Sequence, residues 1–152
     1  MLNEETISQL KAEIELLGYV LWGLETQGGQ NNALVVQVFV EKDGGITLDN
    51  CQEVGRHLGA FIEVEEIITS KYTLEVSSPG INRRIFNLNQ CIGLESKFFK
   101  FKLIDDIDGR KSFKAELIKV DMDKGSLEFN YEGDEMVVSY DNIDKMNLFY
   151  KW

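Results

Sequence analysis

One proline, one histidine and two cysteines are all that 152 residues contain of three chemically decisive residue types. Cys51 and Cys91 stand far apart with no CxxC spacing, so neither a disulfide framework nor a zinc site is expected, and both should be reduced, buried or half-buried thiols. The lone histidine, His57, has Val54 and Phe61 at i-3 and i+4, which reads as a packed or partly exposed helix residue; no partner for a relay is legible. Glycines never fall two or three positions apart, which removes both the GxGxxG dinucleotide loop and the GXXG loop of KH domains. GxSxG and HExxH are absent too. No run approaches ~18 apolar residues, and the start Met1-Leu2-Asn3-Glu4-Glu5 lacks the basic, apolar character of a signal peptide, so a soluble cytoplasmic protein without membrane association is expected. Positive charge is also short. With 16 Lys+Arg against 26 Asp+Glu, the net charge of -10 disfavours a protein that coats RNA by bulk electrostatics.

The abundant carboxylates single out no catalytic pair. Asp121-Met122-Asp123-Lys124-Gly125 resembles the start of a calcium loop, but its glycine is fifth instead of sixth and its flanks read as strands. An acidic hairpin tip is the better reading, as it is for Asp105-Asp106-Ile107-Asp108. No enzyme activity, cofactor or metal is therefore expected.

What is present is two different patterns in sequence. Asn3 can cap a helix with Ile7, Leu10, Ile14 and Leu17 on one face, stopped by Gly18. A strand over Tyr19 to Glu25 and another with Leu34, Val36, Val38 and Val40 at every second position follow, joined by a hairpin loop at Gly28 to Asn32. Thr47 or Asp49 can cap a second helix carrying Cys51, Val54, Leu58 and Phe61 or Ile62, and Tyr72, Leu74 and Val76 alternate in a third strand. The order α-β-β-α-β predicts a two-layer α+β domain over residues 1–86. After a linker at 87–92, with a hinge between Leu88 and Gly93, residues 93–152 show five short strands punctuated by Asp108-Gly109, Lys124-Gly125 and Glu132-Gly133. Such spacing predicts a small β-barrel closed by the C-terminal strand. Residues 1–91 hold 6 basic and 13 acidic residues, whereas 92–152 hold 10 and 13, so most of the negative excess lies in the first domain.

The segment Leu74 to Phe86 contains the only proline, two adjacent hydroxyls and two arginines after an abrupt strand end. A proline-glycine turn fixes the backbone, leaves Ser77 and Ser78 to hydrogen-bond nearby amides, and sets Asn82, Arg83 and Arg84 beside Pro79 and Gly80. Two readings stand side by side: a rigid connector whose arginine pairs with an interdomain carboxylate, or a rigid platform for an anionic partner.

The run Leu74-Glu75-Val76-Ser77-Ser78-Pro79-Gly80, followed by Ile81, Asn82 and Arg83, resembles the signature of the bacterial ribosome maturation factor RimP family. The resemblance extends to the Gly18-Tyr19 step, the strand ending Val38-Phe39-Val40, the helix start at Gly45 to Cys51, and Gly93 opening the C-terminal part. Arg84 departs from it, since the family usually has a second proline there. The resemblance implies an N-terminal α/β domain and a C-terminal Sm- or SH3-like barrel. It further implies a non-catalytic factor in late assembly of the 30S subunit, binding the immature particle and a basic ribosomal protein of the decoding region, with no cofactor and as a monomer. Two surfaces are candidates for those partners. Glu63, Glu65, Glu66, Asp105, Asp106 and Asp108 form an acidic surface for a basic protein. If Phe99, Phe101 and Leu103 point inward, then Phe98, Lys100 and Lys102 form an outward stripe for rRNA, with Lys111 or Lys114 on the next strand.

Overall fold

A computed structural model of the chain describes residues 2–29 and 33–149. It is an α+β structure with two helices and two sheets, divided into two compact units, Met1–Pro79 and Gly80–Trp152.

In the first unit, Asn3 ends the extended backbone and its side chain accepts from the Thr6 N–H at 2.8 Å, starting helix α1 (Glu4–Leu16). Gly18, at φ +90°, releases the chain into β1 (Val20–Gly28), which runs antiparallel to β2 (Leu34–Glu41). Of the expected loop between them, Gln30, Asn31 and Asn32 lie outside the described residues. Thr47 and Asn50 form a reciprocal capping box at the start of α2 (Leu48–Glu65), whose Cys51, Val54, Leu58 and Ile62 are buried. Helix α2 is the crossover that lets β3 (Tyr72–Ser77) pair parallel to β2, giving the order β1-β2-β3. Val36, Val38 and Val40 of the central strand are fully buried with Leu10 and Ile14 of α1, each valine worth roughly 1.5–3 kcal/mol of transfer free energy.

The second unit is a five-stranded antiparallel sheet of β4 (Phe98–Ile107), β5 (Arg110–Asp121), β6 (Ser126–Tyr131), β7 (Asp134–Ser139) and β8 (Ile143–Phe149), in the order β7-β6-β5-β4-β8. Its register is set by two-residue turns. Asp108-Gly109 and Glu132-Gly133 have positive φ at both positions, the mirror-image turn geometry whose twist suits a hairpin. In each turn a side chain two residues upstream, from Asp106 or Asn130, accepts the glycine N–H at 2.7 and 3.0 Å. The four-residue loop after β5 is fastened similarly by Asp121, which accepts from the Lys124 N–H, so the apparent calcium loop is a hairpin tip. Inside, Phe101 stacks on Phe129 at 4.5 Å and on Phe113 at 5.6 Å, with Phe99 edge-on to Phe129.

The expected C-terminal strand does return beside the first strand of this unit, as β8 pairs with β4. The pairing nevertheless closes no barrel. The outer edge of β8 is taken by residues 83–85: the Leu148 N–H donates to the Arg83 carbonyl and the Ile85 N–H to the Met146 carbonyl, both at 2.8 Å. That edge is no longer open to β7. Residues expected to end the first domain thus extend the second sheet, with Ile85 buried. The expected linker is a 3₁₀ turn, Leu88–Cys91, capped by Asn87 and carrying the fully buried Cys91. Burial, and secondarily the charge of Glu95, pushes the Cys91 thiol up to about 12; burial also raises Cys51 and the Tyr140 phenol.

Candidate functional site

The proline-glycine segment marks the boundary between the units, with Gly80 at φ +80°, a conformation that suits glycine. Ser77 is the last residue of β3; it and Ser78 are exposed, and neither hydroxyl hydrogen-bonds an amide among the described residues. Arg83 turns back, its Nε donating to the Gly80 carbonyl at 3.2 Å, while the Arg84 guanidinium lies 5.4 Å over the Phe86 ring. The Asn82 carbonyl accepts from the Asn147 side chain on β8 at 3.2 Å. The motif leads from the end of β3 to the sheet edge beside β8.

The second candidate is more concentrated. Phe99, Phe101 and Leu103 are buried, so Lys100 and Lys102 face outward and Phe98 is half-buried. Register then decides what stands beside them. Lys100 lies directly opposite Lys114 on β5 and Asn147 on β8; Lys102 lies opposite Ser112 and Lys145. Both lysines of the stripe thus face another lysine across a strand, an arrangement that disfavours folding. A groove of about 930 Å³ runs over β4, β5 and β8 to the turn after β6 and collects Lys100, Lys102, Lys114, Lys145 and Arg110. Lys114 Nζ is 4.9 Å from the centre of the Phe149 ring, and the Arg110 guanidinium is 5.2 Å from that of Tyr131. None of the five cations forms an ion pair within 4 Å among the described residues. Glu132 is the one carboxylate on the lining among the described residues, and Glu116 stands opposite Phe98. Lys111 lies outside this groove.

The acidic candidates are divided between the two units. Glu63 and Glu65 are exposed on the last turn of α2 and Glu66 is its left-handed cap, at φ +51°. Asp105, Asp106 and Asp108 are exposed at the β4–β5 hairpin of the other unit. Asp106 is engaged in the turn, and the Asp105 backbone exchanges two hydrogen bonds with the Asn142 side chain. His57 has a partner that sequence did not reveal: its Nε2 lies 2.9 Å from Glu13 Oε1, linking α2 to α1. It lines neither the groove nor the two smaller cavities of the first unit. Among the described residues no cluster of three or more His, Cys, Asp or Glu is arranged to hold a metal, and no helix is long and apolar enough to cross a membrane.

Residues 9–82 match the family model of the RimP N-terminal domain. The chain belongs to the RimP family. The matched stretch takes in most of α1, all of the first sheet and α2, and ends at Asn82, just past the proline-glycine turn. It is a family of ribosome maturation factors, which places ribosome-related partners within the protein's function. The departure at Arg84 from the RimP signature has a simple physical setting. The bonds that tie this segment to β8 come from residues 83 and 85, so a proline at 84, which has no N–H, is compatible with the same ladder. Lys145, Arg110, Tyr131 and Phe149 were not legible as site residues; placing the last strand beside β4 is the signal that brings Lys145 and Phe149 in.

Proposed function

We propose that this chain is a non-catalytic assembly factor for the 30S ribosomal subunit, acting as a cytoplasmic monomer without a cofactor and binding the immature particle. The RimP N-terminal match, which runs into the Ser77 to Arg83 signature, carries the reading. The strand order β8-β4-β5-β6-β7, a meander whose last strand returns beside its first, supports an Sm- or SH3-like ancestry for the second unit. In this account the acidic first unit attracts the basic ribosomal protein of the decoding region. Glu63, Glu65 and Glu66 stand at the negative end of the α2 dipole, where carboxylates cost the helix about 0.3–1 kcal/mol each, so helix stability does not explain their position. Such an attraction raises encounter rates and is screened by salt.

A second contact, of the C-terminal unit with rRNA, is favoured by the two like-charge lysine pairs across β4. In an acidic protein with carboxylates to spare, cations left together point to an external anion. Deleting the gene tests the function as a whole: fewer free 30S subunits and accumulated precursor 16S rRNA are expected, and a normal gradient profile with fully processed rRNA would sink the assignment.

A further inference from the structure

We infer that the groove across β4, β5 and β8 is a site for single-stranded RNA, in which cations take the phosphates and Phe149 and Tyr131 take bases. The inference rests on the reading that this unit contacts rRNA and specifies the form of the RNA. Lys100, Lys102, Lys114 and Lys145 lie on three adjacent strands spaced about 4.8 Å apart, close enough for one backbone to pass over several of them. Two rings are interleaved with the cations, and each already has a cation against it, Lys114 at Phe149 and Arg110 at Tyr131. Both rings are half-buried. A nucleotide stacking on the exposed part of either ring brings its phosphate within reach of the adjoining cation. A duplex would satisfy the lysines but would keep its base faces inside its own stack, leaving the rings unused. An acidic peptide would likewise satisfy charge and offer no flat face to the rings. The Asn147 side chain, bonded to the Asn82 carbonyl, lies on the groove lining opposite Lys100.

The test uses the full chain and three probes of about ten units: a labelled oligouridylate, an RNA duplex and polyglutamate. Affinity is followed against salt. For wild type the oligouridylate should bind tightest, with a steep slope of log K against log salt. Lys100→Gln with Lys114→Gln should flatten that slope by about 1.4, at about 0.7 for each phosphate no longer neutralised, whereas Lys119→Gln, outside the groove, should leave it unchanged. Phe149→Leu should weaken binding about five- to a hundredfold with the slope retained. Tyr131→Leu is the companion variant should Phe149→Leu fail to fold, judged by protection of the Cys91 thiol. Duplex bound as well as single strand, with the ring variants neutral, would overturn the single-strand assignment and leave rRNA contact by this unit standing. Binding of neither RNA, or a slope untouched by the lysine changes, would remove the rRNA contact itself. Equal competition by polyglutamate would reassign the groove to an acidic protein.

Discussion

The pairing of Lys100 with Lys114 makes a quantitative claim, because a surface kept for binding an anion should be under electrostatic tension without it. Two unit charges about 6 Å apart in a water-like dielectric repel by about 0.7 kcal/mol, within the range of about 0.2–1 kcal/mol for cross-strand pairs. Neutralising either lysine with glutamine removes this repulsion, and neutralising both removes it only once. The double variant Lys100→Gln/Lys114→Gln should therefore be less stable than the sum of the two single effects implies, by about 0.7 kcal/mol. The cycle matters because Lys114 also lies over Phe149, and removing that cation from the ring costs the single variant a similar amount. Equilibrium urea unfolding gives the four stabilities, with the second unit followed by reactivity of its buried Cys91 and the first by Cys51. For a unit of this size the coupling corresponds to about 3–6 °C in melting temperature. In 1 M salt, where the screening length falls to about 3 Å, it should vanish. A coupling of zero at low salt, or one unchanged by salt, would refute the claim that these lysines repel.

Three further outcomes follow from the same geometry. With the Cys91 thiol raised to about 12 from the ordinary 9, its contribution to stability is complete below pH 9 and is lost between about 9 and 12, at about 1.4 kcal/mol per pH unit. Tyr140 is raised as well and acts in the same direction; Cys91→Ala should flatten the alkaline fall measured by urea unfolding, and an unchanged slope would count against burial as its source. Phe129→Ala should cost about 3–5 kcal/mol, enough to abolish the second unit's unfolding transition, because Phe129 contacts both Phe99 and Phe101. Retention of that transition at wild-type denaturant concentration would contradict the packing described. Glu63→Lys with Glu65→Lys should stabilise α2 by about 0.3–1 kcal/mol per site while weakening capture of the basic ribosomal protein; unaltered capture would remove these residues from the partner surface.

Much of this arrangement is written locally. Val36, Val38 and Val40 declare a half-buried strand by their period of two, Thr47 caps its helix through its own third neighbour, and Phe99, Phe101 and Leu103 face inward as alternation requires. The outward direction of Lys100 and Lys102 follows from the same alternation. What they meet does not, because it depends on the register set by the turn at Asp108-Gly109 and on the return of β8, each a tertiary outcome. His57 and Glu13 meet only when the two helices dock on one sheet face. The sheet stays open because residues 83–85 occupy the edge of β8, a pairing with no local signature. The serines of the signature mislead for the opposite reason. Hydroxyls beside a proline-glycine turn suggest bonds to nearby amides, yet Ser77 and Ser78 are exposed and neither hydroxyl binds an amide among the described residues.

The central claim is that the chain recognises a small subunit still under construction. Cosedimentation of the purified protein with 30S particles from the deletion strain, in parallel with mature 30S subunits at equal concentration, measures this directly. The protein should travel with the immature particles and be depleted from the mature fraction; equal association with both, or none with either, would contradict it.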